Sequence, residues 1–411
     1  MIRISLVLLC CLLLVGSALA NTPPSVTNVV ATQRAHTALI DLTFDIADID
    51  GDAVHVSLWY SLDAGASWDQ ECMTVTGDVG LGVIATSGLS AVWDAGVDFP
   101  DFINTEFSVR VYADDGSGTI PLGSVVIPPV SVAMPTTFTM GSEVGVNTDP
   151  HTVTLTNRFS VPATSVTNAQ YVEVLQWAYD QGHVGATVGS VFDALDGSTV
   201  ELFDLDWSLC RISFSDGIFS TTDPDQPVIR VSWYSSVAYC DWLSLQAGLP
   251  RAYDHSTWIC NGGNPYSALG YRLPTEAEWE FACRAGTTTE FYTGDCLDAN
   301  TEANYNGDYP YEDCPAGAYL ASVMDVASYP ANDWGLFDMH GNLEEWTNDW
   351  FGFYPFAVET DPVGPETGVI RVLRGGNWSS GGYYNRSASR QFLNPAVVSS
   401  VAGFRPVITV Q

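Results

Sequence analysis

Apolar and polar side chains alternate along Ala38–Phe44 (ALIDLTF) and Val54–Tyr60 (VHVSLWY), the period of strands with one buried face. Asp50-Gly51 and Asp114-Asp115-Gly116 supply turn chemistry between such runs. Residues 21–128 therefore read as an all-β sandwich of short strands. Pro128-Pro129 and Pro135 mark a stiff linker, placed at 129–133. Beyond it the period changes. Ala169–Tyr179 and Ser235–Ser244 predict helices, the second burying Val237, Cys240 and Trp242 or Leu243. In YRLPTEAEWEFACRAG (Tyr271–Gly286), Thr275 and Glu278 have capping-box spacing. Trp279, Ala282 and Cys283 fall on one stripe, and Gly286 stands where a left-handed residue ends a helix. Gln181–Gln226, with turn signals at Asp196-Gly197 and Asp216-Gly217, reads as an insertion. Later Gly- and Asn-rich segments carry few strand signals.

With 411 residues the chain exceeds one core, so two domains are expected, and 13 Trp favour compact ones. Residues 1–20 have the form of a signal peptide: Arg3, the apolar run Leu6–Val15, then Ala18-Leu19-Ala20. The expected location is secreted, cell-surface or periplasmic, with no membrane span. Formal charge is −34, and removing Arg3 with the signal makes it −35 (−34 − 1). Every basic residue is Arg. Such a surface excludes nucleic acid as a partner, which requires basic patches. The acidic run Asp45, Asp48, Asp50, Asp52 lacks an EF-hand's first ligand and closing Glu, and reads as a solvated turn. Nine cysteines become seven without Cys10 and Cys11, so at least one has no partner within the chain. Cys296 and Cys314 are the favoured pair. Cys210 with Cys260 is open, as are buried thiols at both. No Cys-x-x-Cys, zinc-spaced cluster or G-x-S-x-G elbow occurs, and the six histidines are scattered.

Four segments carry a wider pattern: QPVIRVSWYSSVAYCDWLS (Gln226–Ser244), the capped helix at Thr275, WGLFDMHGNLEEWTNDW (Trp334–Trp350), and RVLRGGNW with AGFRPV (Arg371–Trp378, Ala402–Val407). Together, across 134–411, they resemble the formylglycine-generating enzyme family, or sulfatase-modifying factors. SLDAGASW, TGDVG and AVWDAG are similar to an immunoglobulin- or fibronectin-like module that precedes such domains in exported bacterial proteins. The resemblance implies a C-type-lectin-like α+β fold rich in ordered coil. It also implies oxidation of a cysteine in a Cys-x-Pro-x-Arg peptide to formylglycine, with oxygen and a copper ion held by two thiols. That pair follows an Arg-Gly-Gly-Ser-aromatic motif. Here the motif reads Arg374-Gly375-Gly376-Asn377-Trp378, and no cysteine lies after Cys314. A hydroxyl cannot replace a thiolate toward Cu(I). Copper is therefore not expected, unless the helical thiols Cys240 and Cys283 share it.

The resemblance further implies calcium, with oxygens from Asp338 and Glu345 and carbonyls from Gly341 and Leu343. A second site would begin at Asn304 and Tyr305; its usual acid aligns near Ala318, leaving Glu312 or Asp313 to substitute. In this superfamily the ligand surface falls on Asn377, Trp378, Ser379, Ser380, Tyr383, Tyr384 and Asn385, a composition suited to adaptable contact. Trp346, Trp350, Phe351, Phe353 and Tyr354 are read as core packing rather than a stacking platform. Arg374 and Arg405 are read as partners of core carboxylates. The combined expectation is a calcium-stabilised binding or scaffold protein for an extracellular peptide, protein or glycan. The alternative is an active oxidase or another metal-dependent enzyme of the family.

Overall fold

The computed structural model describes residues 25–34, 37–48, 53–61, 70–72, 74–98, 108–114, 124–127, 134–145, 148–206, 210–355 and 357–410. The expected signal segment 1–20 and linker 129–133 lie outside them. The chain divides into two units, Met1–Gly118 and Thr119–Gln411.

The first unit is built of strands. Leu39–Ala47 lies between Ser25–Gln33 and Leu89–Asp94, with Val75–Gly77 at the far edge, all antiparallel. Ala53–Ser61 pairs with Ser108–Asp114 on one side and with Gly80–Ile84 and Gln70–Glu71 on the other. The alternation read in the sequence becomes alternation in burial. Ile40, Leu42, Phe44 and Ile46 point inward from one sheet and Val54, Val56, Leu58 and Tyr60 from the other, into one apolar cluster. Trp93 stacks on Tyr60 at 5.2 Å within it. Each such side chain contributes about 1.5–3 kcal/mol by leaving water. Asp45 lies within strand Leu39–Ala47 rather than in a turn, and accepts hydrogen bonds from Asn28 Nδ2 and the Gly88 N–H at 2.6 and 2.7 Å; Asp50 and Asp52 lie outside the described residues.

The second unit is predominantly β, with three helices of length. Ser124–Ile127 pairs with Arg158–Pro162, so strand pairing brings in residues ahead of the expected start at 134. Helix α1 (Asn168–Asp180) begins at a capping box of Thr167 and Gln170. Helix α2 (Trp233–Gln246) begins two residues earlier than its periodicity predicts, because Ser232 and Ser235 form a capping box at its start. Of the two residues left open on α2, Trp242 is fully buried and Leu243 is half-buried. Helix α3 (Glu276–Arg284) is capped by Thr275 and Glu278. Its terminus is left-handed at Ala285 (φ 47°), and the predicted Gly286 follows, also at positive φ (91°).

The insertion is ordered. It forms a three-stranded sheet from Val184–Ala186, Ser190–Asp193 and Glu201–Asp204, and a hairpin of Ile212–Ser215 with Ile218–Thr221. Asp216 and Gly217 both have positive φ, as a two-residue hairpin turn requires. Between Arg284 and Glu344 the chain has neither helix nor strand. A central sheet orders Arg390–Leu393, Arg371–Arg374, Glu344–Trp350 and Ala402–Gly403. Helix α3 is buried along its whole length, charged residues included. Arginines make this possible: Glu276 pairs with Arg390 and Arg374, Glu278 with Arg272, and Glu280 with Arg284 and Arg374. The guanidinium fork suits such buried carboxylates, so an acidic chain concentrates arginine inside.

Candidate functional site

Strand Arg371–Arg374 leads through Gly375 and Gly376, both at positive φ, into the segment 377–389. A side chain at Gly376 would lie 2.3 Å from Asn385 Oδ1, so only glycine lets the turn close. Arg374 holds the return of the loop: its guanidinium donates to the carbonyls of Ser387 and Ala388 at 2.7 and 3.3 Å. Arg386 donates to Tyr383 O and Val144 O and pairs with Glu290 at 3.1 Å. The loop between them is therefore fixed at both ends.

Seven residues of this segment were expected to meet a ligand, and the structure separates them. Ser379, Ser380, Tyr383 and Tyr384 line a cavity of about 560 Å³. Tyr309, Pro310, Asn306 and Gln391 supply other parts of its wall. Tyr383 and Tyr384 are 39% and 47% exposed, with ring centroids 5.3 Å apart and nearly perpendicular planes. Asn377 and Asn385 are buried and act as braces. Asn385 Nδ2 donates to Ser380 Oγ and Gly381 O at 3.1 and 2.8 Å. Asn377 Oδ1 accepts from the N–H and hydroxyl of Ser379 at 2.9 and 2.7 Å. Trp378 is half-buried, its N–H bonded to Asn342 O at 3.0 Å.

The cavity also contains a residue the sequence reading passed over. Glu344, 7% exposed, lines it and accepts a hydrogen bond from Asn377 Nδ2 at 2.8 Å. Burial pushes its carboxyl up to about 7, against the pull of Asn377. Successive side chains of a strand point to opposite faces, so Glu345 turns the other way. There Arg405 donates to both its oxygens at 2.9 and 2.7 Å, Ser165 Oγ donates at 2.6 Å and Trp279 Nε1 at 2.8 Å. An ionised carboxylate has about four acceptor positions, and these bonds fill them. The doublet Glu344-Glu345 at the start of a strand was the available signal for Glu344.

The two segments expected to hold cations meet. Gly341, at φ 79°, has room for no side chain because Asn304 O would lie 2.4 Å from a Cβ. The Asn342 N–H donates to Asn304 O at 2.8 Å. Asn304 Oδ1 is buried and has no hydrogen-bond partner among the described residues. Tyr305 is a core residue whose hydroxyl donates to Leu297 O at 2.7 Å. Asp338 accepts from the Ala327 N–H at 2.8 Å. Burial raises its carboxyl to about 6, opposed by that bond and by Arg405. Leu343 is buried, and Glu312 and Asp313 are exposed. Among the described residues, no group of three or more His, Cys, Asp or Glu side chains is arranged to hold a metal ion.

Cys296 and Cys314 are joined by a disulfide, whereas Cys210 and Cys260 are free thiols. Cys240 and Cys283 belong to different apolar clusters, so they do not share a site. Burial pushes the Cys283 thiol up to about 12 and lowers the neighbouring His340 to about 3. This neutral pair, 3.9 Å apart, has none of the thiolate character of a reactive cysteine. Within the aromatic run, Trp346 is fully buried while Phe353 is 81% exposed. Arg371 lies over Trp233 and Trp350, at 3.8 and 3.5 Å from the ring centroids.

The family model described as a sulfatase-modifying factor enzyme 1-like domain matches residues 122–410. The chain belongs to this family. The formylglycine-generating enzyme of Streptomyces coelicolor is 31% identical over 310 residues, covering 69% of this chain and 88% of that enzyme. The serine/threonine-protein kinase pkn1 of Chlamydia caviae is 36% identical over 184 residues, which is 44% of this chain but 23% of the kinase. The chain thus spans about a quarter of that kinase's length. The solved structure of Treponema denticola variable protein 1 is similar with a TM-score of 0.49 and 24% identity, over 69% of this chain and 94% of that one. Among the described residues, no helix is long and apolar enough to cross a membrane.

Proposed function

We propose that this protein is an exported binding or scaffold protein that uses a sulfatase-modifying-factor domain without its oxidase chemistry. The observation that carries this reading is the make-up of the cavity at Ser379–Tyr384. Serine, glycine and tyrosine stand where the resemblance places the copper thiols, and no cysteine follows Cys314. None of those side chains is a soft ligand for Cu(I). Exposed tyrosines between small residues instead give contact area at low entropic cost, as in adaptable binding loops. The ligand is an extracellular peptide, protein or glycan. Residues 1–20 support export, and the two strand sets around one apolar cluster in the first unit support an immunoglobulin- or fibronectin-like sandwich. The second unit, with three helices and long ordered coil, is consistent with a lectin-like α+β fold.

Calcium is the second part of the proposal, in revised form. Asp338 retains acceptor capacity and would hold the ion with the carbonyls of Gly341 and Leu343. Glu345 would join only by releasing Arg405, Ser165 or Trp279, and is excluded from the ligand set. Asn304 Oδ1, buried and without a hydrogen-bond partner among the described residues, is the oxygen of the second segment that suits a cation. The test of the reading is a glycan and peptide array probed with the whole protein and with Tyr383→Ala/Tyr384→Ala. Binding lost in the double variant, which still folds, supports it. Binding unaffected by the variant moves the ligand elsewhere and overturns the site.

A further inference from the structure

Four buried glutamates of the second unit have their own arginines: Glu276, Glu278, Glu280 and Glu345. Glu344 does not. It is more than nine-tenths buried, makes no ion pair among the described residues, and faces a cavity. Its one side-chain bond comes from the neutral amide of Asn377, at Oε1. A buried carboxylate without a counter-charge is costly, and breaking such pairs elsewhere leaves the same deficit. The lining of the cavity brings no Arg or His to balance it. Above it stand Tyr309, Tyr383 and Tyr384, exposed by 68%, 39% and 47%. Tyrosine ring faces attract cations, by about 0.5–2 kcal/mol according to how far the pair is desolvated. One ring here already does so, since the Arg386 guanidinium lies 4.3 Å from the Tyr383 centroid. The acidic surface, formally −34 overall, adds a long-range attraction for positive groups.

We infer that this cavity takes a positively charged group, a guanidinium or ammonium on an apolar stem, with the stem between the tyrosines and the charge at Glu344. The inference rests on the binding-protein reading and deepens it by naming the ligand's chemistry. A peptide side chain and a small free amine share that chemistry. The polar wall at Asn306 and Gln391 suits the remaining donors of either.

The test uses the whole protein and three probes in calorimetric titration: a capped Gly-Gly-Arg-Gly-Gly peptide, its citrulline counterpart, and agmatine. Citrulline keeps the shape of arginine and removes its charge. The expected result is at least tenfold tighter binding of the arginine peptide than of the citrulline peptide. Glu344→Gln, which keeps the Asn377 bond, should bring the two to parity without lowering the melting temperature. Agmatine binding with the same dependence on Glu344 assigns the site to free amines and guanidines; binding of the peptide alone assigns it to polypeptides. Equal affinity for the arginine and citrulline peptides overturns the charge assignment while leaving the binding face in place. No binding of any probe overturns it as well, and so does discrimination that survives in Glu344→Gln. The arginine–citrulline contrast needs no variant to fold. Oxidation of a peptide cysteine, measured separately, would instead remove the reading on which the inference rests.

Discussion

Raising the pH from 6.5 to 9.5 should loosen the second unit through one buried histidine. His255 Nδ1 lies 2.7 Å from Asp193 Oδ2 and its Nε2 lies 3.2 Å from Asp241 Oδ2, with both side chains and the ring fully buried. Trp258 stacks on the imidazole at 4.3 Å. Asp193 ends a strand of the insertion and Asp241 lies in the middle of α2, so the imidazolium ties the inserted sheet to the helix. Burial alone would lower the histidine, but the two carboxylates outweigh it and raise the group from 6.5 to about 9. A folded value above the unfolded one means stability that is fully present below pH 6.5 and lost as pH rises through about 9. At 1.36 kcal/mol for each tenfold change, that rise corresponds to about 3 kcal/mol. Burial holds Asp241 above the usual carboxylate range, which offsets part of this, so about 3 kcal/mol is an upper bound. Glu344 and Asp349, raised to about 7 and about 8, also favour the folded state less as pH rises. The measurement is therefore a difference: urea unfolding of the wild type and His255→Gln at pH 6, 7.5 and 9.5, followed by tryptophan fluorescence. The wild type should lose its advantage over the variant across this range. Parallel stability profiles for the two proteins would refute the reasoning.

Glu345→Ala should cost about 3–5 kcal/mol by leaving Arg405 buried and unpaired. The loss should be the same with and without calcium in thermal melts, and Glu345→Ala/Arg405→Ala should cost less than the sum of its parts. Calcium should raise the melting temperature by a stabilisation of about 2.7 kcal/mol at a hundredfold excess over Kd. Asp338→Asn should remove most of that rise, and curves unchanged by chelator would rule the ion out. Tyr383→Ala/Tyr384→Ala should stay within about 1 kcal/mol of wild type, the lost stacking of Arg386 included. A drop of about 3–5 kcal/mol per ring in calorimetry would mark both tyrosines as core residues.

The helices were legible because their signals are local. Thr275 and Glu278 lie three residues apart and cap their helix in the structure. Strand alternation in the first unit was legible for the same reason. Ser124–Ile127 was not, because its partner Arg158–Pro162 lies far along the chain and no local pattern encodes that pairing. The insertion escaped assignment because its strands are only three or four residues long. In the candidate site, composition drew attention to Ser379–Asn385 but could not tell wall from brace. Tyr383 and Tyr384 face the cavity while Asn385, in the same run, is fully buried beneath the loop. Glu345 was read as a cation ligand because its three donors come from positions 165, 279 and 405, which only the fold brings together. The doublet Glu344-Glu345 hinted at Glu344, but its importance follows from the lack of an arginine partner among the described residues, which only the fold shows.

The most direct test of the account is an oxidase assay on the whole protein. A Cys-x-Pro-x-Arg peptide would be incubated with it, oxygen and copper, beside an active formylglycine-generating enzyme, and its mass followed. The account predicts an unchanged cysteine, because the cavity at Ser379–Tyr384 offers copper no thiolate pair. Conversion of the cysteine to formylglycine, dependent on copper and on this protein, would contradict it.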